Sequence, residues 1–281
     1  MLGPLDAREG GRSVVPTAAK PRQVLSMLAM HVGDVVPVPS LIEELWGEKP
    51  PRSAMTTLQT YIMQLRRLIT SALPAGSGMT AKDVLQTRFG GYLLDIPAAA
   101  VDTYEFERLA TAGERAFGLG DDAAASRLLR QAESLWRGGA LVDVATGMPL
   151  GIEVVRLEER KLAVVETRID AELRLGQHQM LLSELSMLTA RHPMNESLCA
   201  KYMLALYRAG RQWKALEAFG KLRDTLVDEL GVDPSNRMRQ LHQLLLASDE
   251  VLDSSRTHHR ADPPGATRRL SAGLHPHASR A

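Results

Sequence analysis

The chain has 281 residues, 24% of them charged and 44% hydrophobic, with a formal net charge of +1 and a single cysteine. That length suffices for two domains able to bury cores of their own, bulk charge points to no particular partner, and one cysteine excludes an internal disulfide framework. No apolar run approaches the ~18–20 residues needed to span a bilayer, and the first residues lack the basic-then-apolar pattern of a secretory leader, so the chain is read as cytoplasmic.

In chain order, residues 2–5 and 12–15 are candidate short strands around the turn signal Glu9-Gly10-Gly11. Residues 20–31 carry Val24, Leu25, Leu28 and Ala29 at helical spacing, and Gly33-Asp34 ends that helix. A second helix starts at Pro39-Ser40, with Ser40 as the expected N-cap and Leu41, Ile42, Leu45 and Trp46 inside. Pro50-Pro51 breaks the chain before a third.

That third helix, residues 53–70, is the most informative. Leu58, Tyr61, Ile62, Leu65, Leu68 and Ile69 form one apolar stripe. The opposite face holds Arg52, Ser53, Thr56, Gln59, Thr60, Met63 and Arg67, flanked by Gln64 and Arg66. Between Lys49 and Lys82 there is no Asp or Glu, whereas Lys49, Arg52, Arg66, Arg67 and Lys82 are all basic. A helix that buries one side and offers donors and cations on the other suits phosphates and base edges. Behind it, Leu85-Gln86-Thr87-Arg88-Phe89-Gly90-Gly91-Tyr92-Leu93-Leu94 reads as a β-hairpin turning at Gly90-Gly91.

Pro97-Ala98-Ala99-Ala100 is a candidate linker, after which helices follow one another to about residue 252. Arg174-Leu175-Gly176-Gln177 recurs 34 residues later as Arg208-Ala209-Gly210-Arg211, and Leu182, Leu185 and Leu188 match Leu216, Phe219 and Leu222 at the same offset. A 34-residue period of helix pairs resembles tetratricopeptide repeats, with Gly120-Asp121-Asp122 as a diverged third turn. Cys199 falls in an apolar helical stretch and reads as a small core residue. Residues 253–281 carry five Arg and four His with no apolar periodicity and are expected to be disordered.

Leu45-Trp46-Gly47, then Leu65-Arg66-Arg67-Leu68, then Thr87-Arg88-Phe89-Gly90-Gly91-Tyr92 resemble, in that order, the winged helix-turn-helix of OmpR-type regulators. The second half adds Val101-Asp102-Thr103-Tyr104-Glu105-Phe106-Glu107, Leu135-Trp136-Arg137-Gly138-Gly139-Ala140-Leu141, Leu157-Glu158-Glu159-Arg160-Lys161-Leu162, Ala205-Leu206-Tyr207-Arg208-Ala209-Gly210-Arg211 and Asp228-Glu229-Leu230-Gly231-Val232-Asp233-Pro234. With these blocks, residues 2–250 resemble the Streptomyces antibiotic regulatory proteins (SARPs), activators that join an OmpR-type domain to a bacterial transcriptional activator domain. The resemblance implies a mainly α fold. An α+β winged helix-turn-helix domain over residues 1–97 would precede an all-α tetratricopeptide-like domain over 101–252 and the basic tail 253–281.

It also implies that the third helix enters the major groove and that residues 88–92 lie near the backbone or minor groove. Arg52, Thr56, Gln59, Thr60 and Met63 have the side for base edges, while Lys49, Arg66, Arg67 and Arg88 suit phosphates; Arg67 fits either role, and Thr56 and Thr60 read equally well as a solvated face. The partners implied are double-stranded promoter DNA carrying direct repeats, a second copy of the chain on that DNA, and RNA polymerase including its sigma subunit. The polymerase contact would fall on the loop Gly47-Glu48-Lys49-Pro50-Pro51, with Glu43, Glu44 and Glu48 beside it; the plainer reading is a tight turn with a solvated acidic helix end.

Chemistry of other kinds is not signalled. There is no Gly-x-x-x-x-Gly-Lys-Ser/Thr loop and no Cys-x-x-Cys or His-x-x-x-His spacing, so no nucleotide, metal or other cofactor is expected, and no enzyme. With the winged domain at the N-terminus, control by aspartyl phosphorylation within this chain is not expected either. Two function classes remain: a sequence-specific activator of secondary-metabolite genes acting at the nucleoid, and a helical-repeat adaptor whose winged domain contacts protein. The acid-free segment favours the first.

Overall fold

The computed structural model describes residues 1–74 and 78–247, so the tail 253–281 and the expected helical residues 248–252 lie outside the described residues. The chain opens with a small antiparallel hairpin of β1 (Arg8–Glu9) and β2 (Arg12–Ser13). Residues 2–5, expected as a strand, form none. Leu2 is fully buried in a cluster with Phe106, Leu129 and Leu157 of the helical half, and Pro4 has no N–H to give a ladder.

α1 (Ala19–Met30) buries Val24, Leu25 and Leu28, as their spacing requires. A strand not read from the sequence, β3 (Val35–Pro37), runs straight into α2 (Val38–Trp46). Ser40 therefore lies inside α2 instead of capping it, because Pro37 takes the N-cap and Pro39 sits in the first turn, where its missing N–H is not needed. α3 (Ala54–Ala72) starts after Ser53 and buries Leu58, Ile62, Leu65 and Ile69, with Tyr61 and Leu68 half-buried.

A single turn, α4 (Ala81–Val84), closed by a reciprocal Thr80–Asp83 capping box, leads into β4 (Leu85–Arg88) and β5 (Gly91–Leu94). The sheet order is β3-β5-β4, all antiparallel, with Tyr92 opposite both Val36 and Thr87. The hairpin turns at Phe89-Gly90, one residue earlier than expected. Gly91 already pairs with Arg88, and it is needed for closeness, since a Cβ there would collide with the Val36 carbonyl.

The helical half runs from a 3-10 turn (Ala98–Ala100) through α5 (Asp102–Gly118), α6 (Asp122–Ser134), α7 (Met148–Arg174), α8 (His178–Arg191), α9 (Glu196–Arg208), α10 (Gln212–Leu230) and α11 (Asn236–Ala247). The pairs α5–α6, α7–α8 and α9–α10 share one turn. Gly120, Gly176 and Gly210 have left-handed φ of 80°, 76° and 73°. The next N–H reaches back five residues each time: Asp121 to the Ala116 carbonyl at 3.0 Å, Gln177 to Glu172 at 3.0 Å, Arg211 to Leu206 at 2.8 Å. This is the Schellman closure, a common way to end a helix, and Gly120 shares it without sharing the 34-residue spacing that relates Gly176 to Gly210.

Arg168 of α7, almost fully buried, binds α6, α7 and α8 together through Glu133 at 2.5 Å, Glu172 at 2.8 Å and Glu184 at 2.5 Å. Glu172 also accepts the Ser126 hydroxyl at 2.8 Å. Such a buried charge is tolerable only when paired and hydrogen-bonded. Cys199 is buried and free, and burial pushes its thiol up to about 12, so it behaves as a small core residue. Among the described residues no helix is long and apolar enough to cross a membrane.

The two halves interleave their cores. Leu141, Val144 and Leu150, from the α6–α7 connection and the start of α7, pack into the cluster of Leu28, Leu41 and Leu58, while Leu2 joins the helical half. The backbone is stitched across the same junction, Arg137 N–H to the Leu2 carbonyl at 2.7 Å and Leu141 N–H to that of Met1 at 3.1 Å. Asp143 accepts the Leu5 N–H at 2.7 Å and pairs with Arg22 of α1. Burial alone would raise that carboxyl, but these partners outweigh it and hold Asp143 below the usual carboxylate range.

Candidate nucleic-acid interface

α3 turns its apolar stripe into the winged domain's core and leaves Arg52, Thr56, Gln59, Thr60, Met63 and Arg67 exposed along the other side, with Lys49 exposed just before it. Met55 and Met63 show about half of their surface, so the face mixes cations, amides and hydroxyls with soft apolar groups. The Thr60 hydroxyl donates to the Thr56 carbonyl at 3.0 Å, which occupies its proton. Its lone pairs and methyl group are what remain for a ligand. The first turn of α3 holds no acidic residue, so nothing there opposes an anion.

Arg66 is not part of this face. Its Nε and Nη2 donate to the Leu85 carbonyl at 3.0 and 2.7 Å, and Nη2 also to Thr87 Oγ1 at 2.9 Å. β4 is the edge strand of its sheet, and the planar guanidinium fork fits the acceptors it exposes. Arg66, expected at a phosphate, here braces the wing against α3 through these bonds. Arg88 stands exposed at the end of β4. Beside it, Phe89 lies wholly in solvent; the resemblance placed it within the wing, residues 88–92, but gave it no role of its own, and the available signal was an aromatic between Arg and Gly at a hairpin tip.

The acidic group beside the α2–α3 loop divides. Glu43 and Glu48 are exposed, whereas Glu44 is 2% exposed. Its Oε1 accepts the Gly147 N–H at 2.5 Å and the Gln23 amide at 3.2 Å, and its Oε2 accepts the Leu150 N–H at 2.9 Å. Glu44 thereby caps the first turn of α7 from the other half of the molecule and satisfies donors that a helix start leaves unpaired. Its expected surface role is corrected on that ground.

Comparison with known proteins bears on the family and the fold. The transcriptional regulatory protein, C-terminal family model matches residues 11–94, and the bacterial transcriptional activator domain model matches residues 101–246. Regulatory protein DnrI of Streptomyces peucetius is 58% identical over 253 residues, which cover 90% of this chain and 93% of that protein. The chain belongs to the Streptomyces antibiotic regulatory protein family of transcriptional activators. Regulatory protein AfsR of Streptomyces griseus is 36% identical over 252 residues, and there this SARP spans only 25% of its relative. The solved structure of Mycobacterium tuberculosis EmbR in complex with a low affinity phosphopeptide superposes with a TM-score of 0.82 at 32% identity, over 91% of this chain and 67% of that one. The SARP is thus a DNA-binding regulator of transcription, built as an OmpR-type winged domain ahead of a helical repeat.

Proposed function

We propose that α3 lies in the major groove of promoter DNA, where Arg52, Thr56, Gln59, Thr60 and Met63 meet base edges while Lys49, Arg67 and Arg88 neutralise phosphates. Two copies bind side by side on direct repeats spaced about one helical turn, ~10–11 bp, so that both recognition helices face one side of the duplex. The α2–α3 loop, with the exposed Glu43 and Glu48, then meets RNA polymerase, including its sigma subunit. In keeping with the family, the genes controlled are those of antibiotic biosynthesis, and the protein works on the nucleoid in the cytoplasm.

The observation that carries this reading is the exposed face of α3, free of carboxylates, beside an exposed Arg88. A gel-shift assay under salt titration tests it. With Arg66 committed to the wing, Lys49, Arg52, Arg67 and Arg88 give a slope of log K against log salt of about −3 to −4 per protomer. Selection on randomised DNA should further show that Arg52→Ala and Gln59→Ala each relax one base position by about 1–3 kcal/mol, whereas Lys49→Ala weakens all sequences alike. A slope shallower than about −2, with unchanged base preferences in both reader variants, would remove α3 from the groove.

A further inference from the structure

Phe89 serves neither the core nor the phosphate contacts. It is the most exposed large apolar side chain among the described residues, at 106% of its reference surface. A lone exposed apolar residue on an ordinary surface calls for no explanation. Phe89, however, stands at the tip of a two-residue turn whose neighbouring residues are held by hydrogen bonds. Arg88 pairs with Gly91 in the last rung of the hairpin, and the Gly90 carbonyl accepts the Val38 N–H at 2.9 Å. Arg66 holds β4 to α3 through Leu85 and Thr87. The result is a fixed hairpin that presents a phenyl ring next to a free guanidinium, alongside the acid-free recognition helix.

We infer that Phe89 is an apolar wedge for the minor groove flanking the sequence read by α3. This deepens the DNA-binding reading and rests on it. A minor groove about 6 Å wide excludes a helix but admits a ring edge-on. Phe is among the side chains that partly unstack a base step from that groove and bend the duplex toward the major groove. Arg88 supplies the charge complementarity, since the narrow minor groove concentrates negative potential. The wing then reads deformability: pyrimidine–purine steps, which unstack most easily, are favoured at the flank without any hydrogen bond to a base.

The test uses the full chain and duplexes selected by it from a randomised pool, with 2-aminopurine placed along the flank and dyes at the ends to report bending. Wild type should brighten 2-aminopurine at one flanking step and shorten the end-to-end distance. Phe89→Ala should bind about tenfold more weakly, with the salt slope unchanged and the brightening, bend and flank preference lost, whereas Phe89→Leu keeps most of each. Because the ring packs on nothing, thermal unfolding should be unaltered, which separates the effect from misfolding. Phe89→Ala binding within about twofold of wild type, or weaker binding with brightening and bend intact, overturns the wedge. A wild-type chain that selects no duplex overturns the DNA reading itself, a result distinct from binding that is indifferent to residue 89.

Discussion

At the scale of single residues, Glu44 does most to fix how the molecule is put together. Its two oxygens answer donors from α1 and from the start of α7, so it can be neither deleted nor neutralised without leaving buried N–H groups unpaired. Glu44→Ala should cost about 2–3 kcal/mol in urea unfolding, and Glu44→Gln about 1–2 kcal/mol, since its amide turns a donor toward donors. A change under about 0.5 kcal/mol in the alanine variant would show that the cap is not a structural element. Half of this was legible: Glu44 lies three residues after the buried Leu41 and beside Leu45, on the inward face of α2. What overrode that spacing was the rule that carboxylates face water, and the partners that lift the rule lie more than a hundred residues away. Arg168 was illegible for the same reason, as its carboxylates come from three different helices.

Among the elements, those with a long period were readable and those without one were not. α3 carries its stripe over about three turns, so its buried and exposed faces follow from the sequence alone. β3 is three residues ending in proline and α4 is one turn, too short for either to show periodicity. The repeat could be read where side chains match at 34 residues, whereas the turn at Gly120 shares the closure but not the spacing. The wing shows how an element's setting reassigns a residue. Arg66→Ala should weaken binding to all DNA sequences and speed hydrogen exchange in β4, yet leave the salt slope where it was; loss of a phosphate contact would lower the slope by about 1. Arg66→Lys should rescue little, because an ammonium cannot span the Leu85 and Thr87 acceptors as the fork does. A lowered slope in Arg66→Ala would return this side chain to the DNA.

For the molecule as a whole, the interleaved junction means that the winged domain and the helical repeat are not beads on a linker. Leu2 is buried in one half and Leu141, Val144 and Leu150 in the other, so the α2–α3 loop keeps a set orientation relative to α7. Two exposed carboxylates, Glu43 near the end of α2 and Glu48 within the loop, stand there, and Pro50-Pro51 stiffens it. Carboxylates next to a DNA-reading helix repel phosphates, yet they suit a basic protein surface brought up to the promoter. Reversing both charges, with Glu43→Lys and Glu48→Lys combined, should leave folding intact because neither side chain is buried. Promoter affinity should hold or rise slightly, while transcription in a reconstituted assay with RNA polymerase falls to the level without activator. The double variant separates this from the Glu44 substitutions, which act through stability. If it activates as wild type does, polymerase recruitment runs through the helical half instead, and the α2–α3 loop is a turn that links two helices and nothing more.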